Sequence, residues 1–149
     1  MKRKKRVENI FLTISMGTFL MSLTQTAFMI DKSDSDSGSM HSLLALLTGW
    51  LALFSSPAGT AWVANPLLVL SWFFISRNIR KALIASILAT AASASFLLFG
   101  EIISDEAGHT SEIIGYGSGY WLWLISCCSF MIGTAVLYIA GRNQQQTTP

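Results

Sequence analysis

Residues 40–76 read MHSLLALLTGWLALFSSPAGTAWVANPLLVLSWFFIS, and how this run is broken decides how the chain folds. It contains no Lys, Arg, Asp or Glu. As one continuous helix it would reach about 55 Å, well over the roughly 30 Å of a bilayer's hydrocarbon core. Its middle, SSPAGTAWVANP (55–66), holds Pro57, Gly59 and Pro66. Proline removes a backbone donor and drives the residue before it away from helix. The pattern predicts a short piece over Met40–Phe54, about 22 Å long as helix and too short to cross, then a connector, then a helix from Ala61 to Ser76.

Working outward, three more long apolar runs appear: 9–30, 82–103 with Glu101 near its end, and 119–141. Hydrophobic residues make up 52% of the chain and charged residues 12%. A charged share about half that of ordinary soluble domains is too small to coat a water-exposed surface of this size. The charges fall in short clusters between the apolar runs, as in membrane proteins. The expected fold is an all-α integral membrane protein. It is a bundle of four transmembrane helices (9–30, 61–76, 82–103, 119–141) in one domain. A Pro/Gly-broken segment over 40–60, re-entrant or interfacial, precedes the second span. The basic start followed by an apolar run also resembles a signal peptide, but the run is long for one and lacks a clear cleavage site, so an uncleaved anchor is expected.

Charge sets the orientation. Lys2, Arg3, Lys4, Lys5, Arg6, Arg77, Arg80, Lys81 and Arg142 are nine of the ten basic residues, Lys32 being the tenth. With four crossings all nine fall on one side, in 1–8, 77–81 and 142–149. Seven of the eight acidic residues, all but Glu8, fall on the other, in 31–39 and near or within 104–118. Lys and Arg mark the cytoplasmic side of short loops, so both termini are expected inside and the acidic loops outside a plasma membrane. A five-span map would put Arg77, Arg80 and Lys81 outside, against that bias. Beside spans, the basic clusters fit anionic lipid headgroups rather than nucleic acid.

Packing positions stand out. The first span carries Ser15, Thr18, Ser22, Gln25 and Thr26 at spacings that share one helical face. Ladders of small residues at intervals of four, Ala82-Ser86-Thr90-Ala94 and Ala85-Ala89-Ser93, mark the third span as a close-packing helix, and Ser129 and Gly133 give the last span a notch. Ser86, Ala89, Ser93, Ser129 and Gly133 are therefore the expected helix-packing residues.

Chemical signals are sparse. Glu101, Asp105, Glu106, His109 and Glu112 form an outer acidic and histidine group, with 101, 105, 109 and 112 on one face if the helix continued. Gly108 weakens that helix, and the set is poor in the nitrogen and sulfur that zinc prefers. Glu101 draws notice as a carboxylate at a span end, His41 as an imidazole just after the acidic loop, Gln25 as a costly amide in an apolar helix. Trp62 and Asn65 belong to a W-x-x-N-P run at the break. The GYGSGYW stretch (115–121) lacks the strand–turn–helix setting of a dinucleotide fingerprint and reads as a hinge before interface aromatics. Cys127 and Cys128 are adjacent and read as packing residues. No Walker loop, C-x-x-C, H-E-x-x-H or Ser/His/Asp pattern occurs, and no cofactor or metal is implied. The expected role is a non-catalytic accessory or assembly subunit binding other membrane proteins or itself. An oligomeric channel or carrier and an enzyme at the outer interface are the alternatives.

Overall fold

A computed structural model describes residues 2–31, 38–103 and 110–146. Within them lie five α-helices: α1 (Lys2–Leu23), α2 (Ser42–Thr48), α3 (Ala64–Phe74), α4 (Ile79–Ser95) and α5 (Ser118–Gln146). Three short 3₁₀ segments, Leu51–Leu53, Pro57–Val63 and Phe96–Leu98, join or extend them. The fold is mostly helical but not all-α. Four strands, β1 (Thr26–Ile30), β2 (Gly38–His41), β3 (Glu101–Ile103) and β4 (Thr110–Tyr116), form an antiparallel sheet in the order β2-β1-β4-β3.

The sheet corrects two expected helix ends. The first apolar run does not stay helical to residue 30. α1 stops at Leu23, where the Ser22 hydroxyl turns back onto the Phe19 carbonyl and that of Thr24 onto Met21. Residues 26–30 then leave as β1, because β2 and β4 supply their backbone partners. Likewise α4 ends at Ser95, and Glu101–Ile103 pair with Thr110–Glu112. The segments expected to be plain loops, 31–39 and 104–118, contribute β2, β4 and the start of α5. Short apolar runs of five residues suit strand and helix alike, so periodicity cannot separate them.

The helices pack as antiparallel neighbours. Ser15 of α1 meets Ser126 of α5, with the two hydroxyls 3.1 Å apart. Ser86 of α4 meets Thr134 of α5 at 2.9 Å. The tight turn at residues 75–78 folds α3 onto α4, and Asn78 caps α4 by accepting from the amides of Arg80 and Lys81. The sheet covers one end of the helices. The α1 start, the α3–α4 turn and the α5 end lie at the other. Arg77 stands over the Phe73 ring, 3.9 Å from its centroid, at that second end.

Hydroxyl side chains share the interior with an apolar core around Leu68 and Phe130, and large apolar side chains also face outward. Fully enclosed side chains include Ser15, Ser22, Ser71, Ser86, Ser93, Ser126 and Thr134. Large apolar side chains face outward on every long helix: Leu20 and Met21 on α1, Phe73 on α3, Ile84 on α4, Ile132 and Ile139 on α5. Among the described residues two helical stretches are long and apolar enough to cross a bilayer, Ile79–Leu98 at mean hydropathy 1.7 and Ser118–Asn143 at 2.0. α3 falls short with 11 residues. α1 has 22 residues, but its first turns are strongly basic.

Candidate functional site

The broken run 40–76 builds the site. α2 follows β2 directly, and the Ser42 amide donates to the Gln25 carbonyl across the end of α1. After the 3₁₀ turn at Leu51–Leu53, the chain doubles back through Pro57–Val63. Ser56 accepts from the Gly59 amide at 3.2 Å and caps this segment, and Pro57 sits at its first position, where the missing amide costs nothing. Pro66 lies in the first turn of α3 for the same reason. The Met40–Phe54 piece therefore does not run as a further long helix. It is a seven-residue helix and a 3₁₀ turn laid against Pro57–Val63.

Two glycines permit that closeness. A Cβ on Gly49 would strike the Trp62 indole and the Ala45 carbonyl. One on Gly59 would strike the Ala52 carbonyl. Side-chain bonds then lock four segments together. Trp62 Nε1 donates to the Leu46 carbonyl at 2.8 Å. Asn65 Nδ2 donates to the Trp62 carbonyl at 3.1 Å, and Trp123 Nε1 of α5 donates to Asn65 Oδ1 at 2.9 Å. The W-x-x-N spacing thus places Asn65 one helical turn beyond Trp62, where a single amide can both close the 3₁₀-to-α junction and receive α5.

Beneath this clasp lies a cavity of about 510 Å³ between the 3₁₀ segments, the inner face of the sheet and the start of α5. That volume falls within the range that holds small ligands, about 300–1,000 Å³. Its walls are largely apolar, with Phe28, Met40, Leu46, Ala52, Phe96 and Ile102 among them, and among the described residues no Lys, Arg, His, Asp or Glu lines it. One floor is an aromatic cluster around Phe96, which has Phe28 at 5.4 Å, Tyr120 at 5.7 Å and Tyr116 at 5.8 Å between ring centroids. Burial pushes the Tyr116 phenol above its ordinary value. Ser42 also lines the cavity. Its Oγ, enclosed and close over Gly119, is the one buried side-chain polar atom among the described residues with no hydrogen-bond partner.

Of the residues singled out in the sequence, Trp62, Asn65 and, from the polar stripe of α1, Ser22 line this cavity. Gln25 lies just outside it, exposed, with its amide on Thr24 and its Oε1 accepting from Ser118. His41 ends β2 and is exposed. Glu101 lies in β3, not at a helix end. It stands opposite Glu112 across the β3–β4 ladder, both exposed, so the one-face helical arrangement of 101, 105, 109 and 112 does not form. His109, with Asp105 and Glu106, lies outside the described residues. The GYGSGYW stretch turns β4 into α5: Gly117 donates to the Ala27 carbonyl, and its missing Cβ leaves room for Thr26. Ser42, Gly49, Gly59, Gly119, Tyr120 and Trp123 had no signal in the sequence as members of one site. Gly59, a marker of the predicted break, came nearest to one.

The packing ladders face inward. Ser86, Ala89 and Ser93 are fully buried, and Tyr120 Oη donates to the Ser93 carbonyl at 3.1 Å. Gly133 is filled by the Phe11 ring, and the partly buried Ser129 donates to the Ser126 carbonyl. The hydroxyls of Ser15 and Ser22 on the polar α1 stripe are enclosed and bonded within the bundle. Replacing Ala89 with leucine is expected to cost several times the stability lost in Leu97→Ala, since Leu97 is 40% exposed and Ala89 has no free space. Equal melting temperatures of the two purified variants would contradict the close α4 contact.

No known protein family, curated protein or solved structure matches this chain.

Proposed function

We propose that this chain is a four-span protein of the plasma membrane, with both termini cytoplasmic, that works by binding rather than by catalysis. The observation that carries the reading is the large apolar surface that its helices turn outward. Serine, threonine and alanine share the interior with Leu68, Phe96 and Phe130, while many isoleucine, leucine and phenylalanine side chains face out. Lipid accepts such a surface and water does not. Close approach of small residues is also how helices associate where no hydrophobic drive separates them from lipid.

Length supports one crossing by the broken run. Pro57–Val63 rises about 2.0 Å per residue as 3₁₀ and α3 about 1.5 Å per residue, giving roughly 30 Å together, one hydrocarbon thickness. α2 and Leu51–Leu53 then rest in the outer leaflet beside the sheet. Arg77, Arg80, Lys81 and Arg142 meet the anionic cytoplasmic surface. The cavity's polar groups, apart from Ser42, are engaged in holding the walls together. Among the described residues its lining holds no acid–base pair. The small-residue ladders are taken up by packing within the bundle. Contacts with partners or with a second copy fall to the outward apolar faces and the outer sheet.

Impermeant thiol labelling tests the placement. Ser39→Cys, on β2, is expected to react in intact cells, and Arg80→Cys only after the membrane is opened. Both side chains are exposed in the fold, so accessibility reports the side of the membrane. Labelling of Arg80→Cys from outside would overturn the four-span reading.

A further inference from the structure

The turn from α3 to α4 holds its cations in more order than a topology signal needs. Arg77, Arg80 and Lys81 lie within five residues, and all three side chains are exposed. The backbone beneath them is fixed. Ile75 is buried, and the amides of Arg77 and Asn78 donate back to the Phe74 carbonyl at 3.0 and 2.7 Å. Asn78 Oδ1 accepts from the amides of Arg80 and Lys81 at 3.1 Å each. Two of the charges are also placed. Arg77 lies over the Phe73 ring, 3.9 Å from its centroid, and Lys81 Nζ is 5.7 Å from the centroid of Phe74. Those two rings meet edge to face at 5.6 Å, so the end of α3 and the start of α4 set their cations on one aromatic pair. Stacking occupies the face of a guanidinium and leaves its N–H edge to donate. Like charges gathered in this way repel, and an anion between them reverses the sign. The sequence supplies one carboxylate in the segments at this end, Glu8, which is turned inward on α1 at 9% exposure. Phe73, Leu70 and Val69, at spacings of three and four, form an outward column along α3, each about half exposed. Arg77 stands at the foot of that column.

We infer that this turn is a binding site for one anionic glycerophospholipid, its phosphate on Arg77 and Lys81 and an acyl chain along Phe73, Leu70 and Val69. The inference rests on the membrane placement proposed above, which sets the turn at the cytoplasmic surface and makes that leaflet the source. It goes further than a general attraction of basic loops to the leaflet. A diffuse field acts on every exposed cation at this end alike, whereas a held phosphate depends on the two cations that the rings position. The acyl column separates a lipid from a free phosphate, which would gain nothing from α3.

The test is native mass spectrometry of the full chain in detergent, titrated with phosphatidylglycerol or with phosphatidylcholine of the same acyl chains. One phosphatidylglycerol per chain is expected to be retained at a concentration about thirtyfold lower than phosphatidylcholine needs, the worth of two charges near the surface. Arg77→Gln is expected to weaken retention about fivefold, and Arg77→Gln with Lys81→Gln to bring it close to that of phosphatidylcholine. Arg6→Gln removes an equally exposed cation from α1 at the same end and is expected to leave retention within about twofold. The replaced side chains are all exposed, so melting temperatures without lipid should stay near the wild type and show that the variants fold. Excess glycerol phosphate, the anion without the chain, is expected not to displace the lipid. Equal retention of the two lipids would overturn the inference. So would equal losses in Arg77→Gln and Arg6→Gln, or displacement by glycerol phosphate. Thiol labelling at Ser39→Cys and Arg80→Cys needs no lipid preference. The expected labelling without selective retention removes this inference alone. Reversed labelling removes the membrane orientation and the cytoplasmic-leaflet source with it.

Discussion

Gly59→Ala is expected to lower the unfolding free energy by about 3 kcal/mol, the upper end of what overpacking costs. The added methyl group would land on the Ala52 carbonyl, which is backbone and cannot rotate aside. That carbonyl is fixed by two amides, Ser55 at 3.2 Å and Ser56 at 3.0 Å. Gly59 is held from its own side, since its amide donates to the Ser56 carbonyl at 3.1 Å and to Ser56 Oγ at 3.2 Å. The clash can be relieved only by separating Leu51–Leu53 from Pro57–Val63, which strains the bonds from Trp62 to Leu46 and from Trp123 to Asn65. Thermal unfolding in mild detergent, followed by tryptophan fluorescence, measures the loss. Gly17→Ala is the control. A Cβ there meets nothing within 4 Å, and alanine favours helix over glycine by up to about 1 kcal/mol. If Gly59→Ala melts with the wild type, the two 3₁₀ segments do not pack as described.

The same segment marks how far the sequence could be read. Pro57, Gly59 and Pro66 signal that 40–76 cannot be one helix, and the reason survives in the structure: Pro57 opens a 3₁₀ segment and Pro66 sits in the first turn of α3. The small-residue ladders likewise lie where helices meet, because small side chains at four-residue spacing have one use in a packed bundle. The sheet was not legible. TAFMI gains its strand state from two partners, β2 close by in a segment too polar to read as a strand and β4 beyond α3 and α4, and no local pattern encodes the second. Glu101 shows the same limit: a carboxylate at the end of an apolar run reads as a helix end, and only pairing with Thr110–Glu112 makes it a strand residue. The cavity was half legible. Trp62 and Asn65 drew notice as a spacing. Ser42 is one serine among many, and its lack of a partner exists only once α2, Gly119 and the sheet have closed around it.

Ser126→Leu is expected to cost about 3 kcal/mol or more, whereas Ser126→Ala should cost about 0.6 kcal/mol and seldom above 2. The contrast separates two accounts of what joins α1 to α5. Ser126 Oγ donates to the Ser15 carbonyl at 2.8 Å, and Ser15 Oγ in turn accepts from Trp72 Nε1 at 3.0 Å. If those bonds supplied most of the association, removing the hydroxyl would be as damaging as replacing it with bulk. In lipid it should not be, because the separated helices also find partners for their hydroxyls and the net gain per bond is small. Size is different. Ser15 and Ser126 have no exposed surface, and one turn or two further along the Phe11 ring already fills the space that a side chain at Gly133 would need. A leucine at 126 must push α1 away, which opens the Gly133 contact and leaves the Trp72 indole without its acceptor. Melting curves of the two variants beside the wild type decide the matter. Similar losses for alanine and leucine would mean that hydrogen bonding, not close approach, holds the first helix to the last.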